Sequence, residues 1–294
     1  MAAQRLEHQV TDKGFVPIYA TGVVEQPWDG YSETDHQVWA QLYARQHEVL
    51  KGRACDEYLA ALSAMQMSPD RIPRFDELNE HLHRATGWKL VAVEGLLPEE
   101  TFFSHLAARE FPVTWWIRTP EQLDYLSEPD LFHDLFGHVP LLMIPVFAEY
   151  MRAYGLGGLK AMGIGGNALQ HLARLYWYTV EFGLIRSRDG LRIYGSGILS
   201  SAGESRYSLA SDAPNRIEFN MERVMRTRYR IDSFQRSYFV IDSFEQLFEA
   251  TMADFTPIYA RLGGQRDLAA GDIVPGDVVL NQGTGEGWGD GADA

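Results

Sequence analysis

Two histidines, His133 and His138, stand five positions apart in SEPDLFHDLFGHVPLL (127–142), among Leu131, Phe132, Leu135, Phe136, Val139, Leu141 and Leu142. An imidazole without a partner is costly in such surroundings. One metal ion could serve both, but on an unbroken α-helix five steps of about 100° leave side chains roughly 140° apart. Gly137 and Pro140, which pushes Val139 toward extended geometry, predict that the chain leaves helix near His138 and lets the two rings meet. A pair of ordinary half-buried histidines is the competing reading.

A third residue belongs with them. Glu181, in LARLYWYTVEFGLI (172–185), has Trp177, Tyr178, Leu184 and Ile185 as its neighbours at helical spacing. A carboxylate on that face must pair with a cation, Arg174 or Arg186 being candidates, or bind a metal. Two histidines and one carboxylate form the facial triad of non-haem Fe(II) oxygenases, which leaves three coordination positions open. The zinc-protease motif needs histidines at i and i+4 with Glu after the first. Here the spacing is one residue longer, and Asp134 follows His133. That disfavours a zinc protease and leaves another kind of zinc site open.

The flanking sequence predicts mainly helix with short strands. Ser32 and Asp35 suggest a capping box opening a helix through Val49, with Val38, Trp39, Leu42 and Tyr43 as its core stripe. Helices follow over 55–65 and 75–85, the latter stopped by Gly87. Next come a strand at 90–93, a helix at 99–109 and a strand at 113–117. Pro145 starts a helix ending near Tyr154, and GLGGLKAMGIGG (155–166) reads as a flexible connection, since it contains no phosphate-loop spacing. Asn167 is the expected N-cap of the Glu181 helix. Asp189-Gly190 signals a hairpin between 184–187 and 191–194, and residues 238–241 a buried strand before a helix from Ser243.

With 294 residues, 46% of them hydrophobic, the chain can bury a sizeable core. The expected division is a loosely attached arm over 1–30, one catalytic domain over 31–270 and a polar tail over 271–294, disordered in its last twelve residues. Forty acidic against 26 basic residues, net −14, argue against a nucleic-acid partner. Cys55 is the single cysteine, which excludes an intrachain disulfide and points to a reducing compartment. Neither a signal peptide nor a run of about 18 apolar residues is present, so a cytoplasmic protein without membrane contact is expected.

Four stretches, FPVTWWIR (111–118), EPDLFHDLFGHVPLL (128–142), YWYTVEFGL (176–184) and YGSGILSS (194–201), resemble the pterin-dependent aromatic amino acid hydroxylases, in particular the short bacterial branch acting on phenylalanine. The resemblance implies a single compact catalytic domain of that type. Its activity would be para-hydroxylation of L-phenylalanine by dioxygen, with a tetrahydropterin, tetrahydrobiopterin or a relative, supplying two electrons. The products would be tyrosine and a hydroxylated pterin. His133, His138 and Glu181 would hold Fe(II), and Ser200 would orient His133. Gly95, Leu97, Phe102 and Asp134 would face the pterin, although Phe102 alone reads as a core aromatic and Asp134 as a solvated carboxylate. Trp177 and Val240 would wall the substrate ring, with Gly197 beside them.

Arg118 ends the VTWWIR strand, where a guanidinium offers two parallel donors to an amino-acid carboxylate, and Asp130 could hold it in place. A plain surface pair between them is the alternative. A monomer is expected, since no heptad repeat follows residue 260, and the absence of amino-acid-triggered regulation, since the helical part starts at about residue 32. Tryptophan or tyrosine as substrate stays open, as does a zinc-stapled binding protein.

Overall fold

A computed structural model describes residues 9–11, 14–16, 22–124, 126 and 128–287. The chain folds as two units, residues 1–44 with 60–156, and residues 45–59 with 157–294. The architecture is mainly helical with short strands.

In the first unit, β1 (Gln9–Thr11) and β2 (Gly14–Val16) form a small antiparallel ladder. β3 (Val23–Val24) follows, and then helix α1 (Glu33–Leu50). Its capping box is formed: the Asp35 amide donates to Ser32 Oγ at 3.2 Å, and the Ser32 amide to Asp35 Oδ2 at 2.8 Å. Val38, Trp39 and Leu42 are buried and Tyr43 is half-buried. After α2 (Asp56–Met65), α3 (Phe75–Thr86) ends on Gly87, whose φ of 75° is open to glycine at little cost. β4 (Lys89–Val93), α4 (Glu99–Ala107) and β5 (Glu110–Thr114) make a parallel crossover, with β3 antiparallel on the other side of β4.

Where a loose arm was expected over 1–30, residues from Gly22 onward are tied down. Gln26 bonds the Pro73 carbonyl and the Phe75 amide, and the Trp28 indole donates to the Ile72 carbonyl at 3.1 Å. The arm's residues 1–8, 12, 13 and 17–21 lie outside the described residues.

Helix α5 (Pro145–Ile164) corrects the expected break after Tyr154. Glycine weakens a helix but permits close approach, and a Cβ on Gly155 would stand 2.5 Å from the Ala107 amide nitrogen of α4. Only Gly165 and Gly166, with φ of 73° and 61°, break the helix.

In the second unit, after the end of α5, comes α6 (Ala168–Tyr176), flanked by Asn167 without a side-chain cap bond. β6 (Leu184–Ser187) and β7 (Gly190–Ile193) form the expected hairpin, and α7 (Ser196–Leu199) and α8 (Ala202–Ala210) follow. Then come β8 (Asn215–Glu218), α9 (Met221–Met225), the fully buried β9 (Ser237–Ile241), α10 (Phe244–Thr251), α11 (Thr256–Leu262) and β10 (Val279–Asn281). The five strands lie in the order β10-β8-β9-β6-β7, with β8, β9 and β6 parallel.

The expected polar tail is part of this unit up to its last described residues. Arg223 pairs with Asp277 in a buried ion pair, and the Gly283 amide donates to Asn215 Oδ1 at 2.8 Å. Of the twelve residues expected to be disordered, 288–294 lie outside the described ones. Among the described residues, no helix is long and apolar enough to cross a membrane.

Candidate metal centre

His133–His138 is wound as a π-helix, followed by a 3-10 turn over Val139–Met143. A turn closing i to i+5 brings residues five apart onto nearly the same face, which removes the mismatch an α-helix would impose. The chain therefore keeps its helical winding through Val139, at φ −61° and ψ −39°, where an extended bend was expected.

The two Nε2 atoms meet at 3.1 Å with the ring planes at 83°. That spacing suits two nitrogens on one ion or one shared proton. Packing holds the turn from below: Phe132 and Phe136 stack at 4.9 Å, Trp39 meets Phe132 edge-on at 5.6 Å, and Tyr43 meets Phe136 edge-on at 5.3 Å. From β5, Phe111 covers His138 at 5.2 Å.

Asp134 adds a carboxylate to the pair. Its oxygen and the imidazole nitrogens of His133 and His138 all lie within 4.8 Å of one another, a set that could hold a metal ion. The reading of Asp134 as a solvated acid falls, because it is 7% exposed and accepts the Thr114 amide at 2.8 Å. Burial pushes its pKa up to about 7, against the opposing pull of His138 and the Thr114 amide. A divalent cation beside it would favour the ionised form. Donor type, convergence and burial thus fit a divalent metal. Spacing had placed only the histidines together; the signal for Asp134 was its position next to His133.

Arg118 and Asp130 meet, and the surface-pair reading falls, since Arg118 is 7% and Asp130 0% exposed. The guanidinium's Nε and Nη2 donate to Asp130 at 2.9 and 2.8 Å, so its fork is engaged there. Any ligand carboxylate would take the Nη1 side. Asp130 also accepts the Arg118 amide at 2.9 Å and the His133 amide at 3.0 Å, which fixes the start of the histidine-bearing turn. Burial alone would raise its pKa; the Arg118 guanidinium and the two amides outweigh that and hold the carboxyl below its usual range.

Of the other residues expected to face a pterin, Gly95 and Leu97 lie in the loop after β4 and Phe102 lies in α4. Gly95 has nothing within 4 Å of where a Cβ would stand, and Leu97 is half-buried. Phe102 is half-buried as well, edge-on to Phe103 at 5.7 Å; Phe103, at 5% exposure, is the core aromatic of the two. A partly open aromatic face suits a flat heterocycle.

The other expected site residues belong to the second unit. Trp177–Glu181 is a second π-turn. The two arginines expected as salt-bridge candidates for Glu181 are engaged by other acids: Arg174 pairs with Asp267 at 2.7 Å and Arg186 with Asp242 at 2.8 Å. Ser196, which sequence reasoning missed, has its hydroxyl 3.0 Å from Glu181 Oε2 and 2.9 Å from the Val180 carbonyl.

The expected close backbone approach at the YGSG glycines is real. A Cβ on Gly195 would stand 2.5 Å from the Glu181 carbonyl oxygen, and one on Gly197 3.0 Å from the Phe182 ring. Ser200 donates its hydroxyl proton to the Ser196 carbonyl at 2.8 Å, so toward a histidine ring it could act only as an acceptor. Val240, in β9, lies in register with Leu184 of β6. Trp177 stacks on Tyr229 at 4.2 Å and packs against Phe182 at 4.8 Å.

Residues 21–261 match the family model of biopterin-dependent aromatic amino acid hydroxylases. A phenylalanine-4-hydroxylase of Ralstonia nicotianae is 64% identical over 92% of this chain and 86% of its own length. The Chromobacterium violaceum phenylalanine-4-hydroxylase is 60% identical over 91% of this chain and 90% of its own. A crystal structure of the C. violaceum enzyme bound to cobalt superposes with a TM-score of 0.86 at 59% identity, covering 88% of this chain and 92% of that one. Another holds oxidised Fe(III), also at a TM-score of 0.86. Paired imidazoles on a π-turn, an acid beside them and a match that runs through both units lead to one assignment: the chain belongs to the biopterin-dependent aromatic amino acid hydroxylases.

Proposed function

We propose that this chain hydroxylates L-phenylalanine to L-tyrosine with dioxygen and a tetrahydropterin at a non-haem Fe(II) site. The observation that carries the reading is the convergence of the His133 and His138 Nε2 atoms at 3.1 Å, in a chain 64% identical to a phenylalanine-4-hydroxylase. Bound iron and tetrahydropterin together supply oxygen activation and the two electrons that reduce the second oxygen atom.

The chain's own residues bind and orient. His133 and His138 hold the metal, and Glu181 supplies the third ligand. Its place in YWYTVEFGL and its hydrogen bond from Ser196 support that role. Ser200 accepts a hydrogen bond from the His133 ring N–H, the usual way of fixing a ligand's tautomer. Asp134 contributes negative charge beside the histidines on the pterin side. Gly95 and Leu97 approach the pterin through backbone, and Phe102 stacks on it.

Arg118, held by Asp130, binds the substrate carboxylate. Trp177 and Val240 wall the ring, with Gly197 letting the chain pass close to Phe182. Because Gln235 Oε1 already accepts the hydrogen bond of the Trp177 indole N–H, at 3.0 Å, this wall offers no spare indole donor to a ring hydroxyl. That favours phenylalanine over tyrosine. A reducing compartment fits the single, buried cysteine.

Oxygen uptake by iron-loaded protein, with each aromatic amino acid and a tetrahydropterin, tests the reading. Uptake coupled to tyrosine formation from phenylalanine is expected. Preference for tryptophan or tyrosine would move the substrate assignment, and tight zinc with no pterin-dependent uptake would overturn the reaction.

A further inference from the structure

The Trp177 indole is held by a hydrogen bond whose far end is buried. Its Nε1–H donates to Gln235 Oε1 at 3.0 Å, and Gln235 is 1% exposed. Gln235 Nε2 in turn donates to the Arg230 carbonyl at 2.9 Å. That second bond decides which end of the amide faces the indole, because only the oxygen accepts and only the nitrogen donates.

The Gln235 backbone is anchored too. Its amide donates to Glu204 Oε1 at 3.1 Å, and the same oxygen accepts the Tyr238 hydroxyl. Glu204 and Tyr238 are both buried. The stack of Trp177 on Tyr229, 4.2 Å apart with planes at 15°, fixes the plane of the indole but allows it to slide and turn within that plane. The bond to Gln235 removes this freedom.

We propose that Gln235 is a positioning residue for the hydroxylation, setting the rotation of the Trp177 indole and with it the shape of the wall offered to the substrate ring. The proposal rests on the reading that Trp177 walls the ring pocket. It adds that a residue with no contact to the substrate selects for an apolar ring, by occupying the indole's only donor and by holding the face in one register.

The experiment is a double-mutant cycle on iron-loaded protein, with Gln235→Met and Gln235→Leu made in parallel, each alone and combined with Trp177→Phe. Both replacements remove the accepting oxygen, and Met keeps nearly the length of Gln. Leaving the half-buried indole donor without its partner should raise the phenylalanine KM roughly fivefold to tenfold, with kcat changed much less. In the Trp177→Phe background there is no donor to orphan, so the same substitution at 235 should change KM by less than about twofold.

Equal KM effects in both backgrounds would overturn the proposal and make Gln235 a packing residue. An unchanged KM in the wild-type background would overturn it as well. If neither 235 variant folds, the role is structural and the proposal fails. Trp177→Phe alone reports on the underlying reading: an unaltered phenylalanine KM there removes Trp177 from the pocket, whereas a raised KM without coupling to 235 removes only Gln235.

Discussion

At the scale of single residues, Asp130 ties Arg118 to the start of the histidine-bearing turn. Asp130 receives the Arg118 fork and the His133 amide on one carboxylate. Arg118→Lys keeps the charge but cannot hold Asp130 through two donors and still offer a third to the substrate carboxylate, so the phenylalanine KM should rise by roughly tenfold, equivalent to about 1.4 kcal/mol. Iron content and the pterin KM should hardly move; a parallel loss of iron would make Arg118 structural and remove it from substrate binding. Glu181→Ala should lose most of the bound iron and nearly all turnover while the melting temperature stays close to wild type. Iron analysis with a thermal scan decides it, and a variant that retains metal and activity would strike Glu181 from the ligand set.

The elements act through close packing. Helix α5 crosses α4 at Gly155, where a Cβ would meet the Ala107 backbone at 2.5 Å, while a Cβ at Gly157 meets nothing within 4 Å. Two glycine-to-alanine changes in one helix should therefore have opposite effects. Gly155→Ala should destabilise by about 1–3 kcal/mol through overpacking, whereas Gly157→Ala should be neutral or stabilise by up to about 1 kcal/mol through lower unfolded-state entropy. Chemical denaturation of the pair checks this, and equal shifts would mean the helices do not meet as described. The two π-turns follow the same logic at backbone level. Each places residues five apart on one face, seen in the facing rings of His133 and His138 and of Trp177 and Phe182.

For the whole molecule, stability should carry a pH signature from Glu204. Burial pushes its pKa up to about 7 from 4.5, against the lowering effect of the hydrogen bonds from Tyr238 and the Gln235 amide. Between those values the folded chain binds more protons at this site than the unfolded chain, so its contribution falls as pH rises through the window. The span corresponds to on the order of 3 kcal/mol. Glu204→Gln removes the titration and keeps an acceptor for Tyr238. Relative to wild type, the variant should gain stability steadily from about pH 5 to pH 7.5 in denaturant titrations. Parallel curves for the two proteins would show that Glu204 does not titrate in this range.

Much was decided by local sequence. The Ser32–Asp35 capping box, the Gly87 stop, the hairpin after Ser187 and the buried strand at 238–241 each depend on a few adjacent residues, and each formed. The apolar surroundings of His133 and His138 were enough to mark them as partners. Tertiary structure decided how they meet, because a π-turn differs from an α-turn by one residue of winding, and here ring packing from Trp39, Tyr43 and Phe111 accompanies the wider turn. It also placed Asp134 beside the pair, engaged the Arg118 fork on Asp130 and carried helix α5 through a glycine-rich run. The Trp177–Gln235 bond spans 58 positions of sequence. Neighbouring residues bias φ, ψ and caps within about one turn, whereas contacts of that span exist only once sheet register and helix packing have set distant backbones at hydrogen-bonding distance.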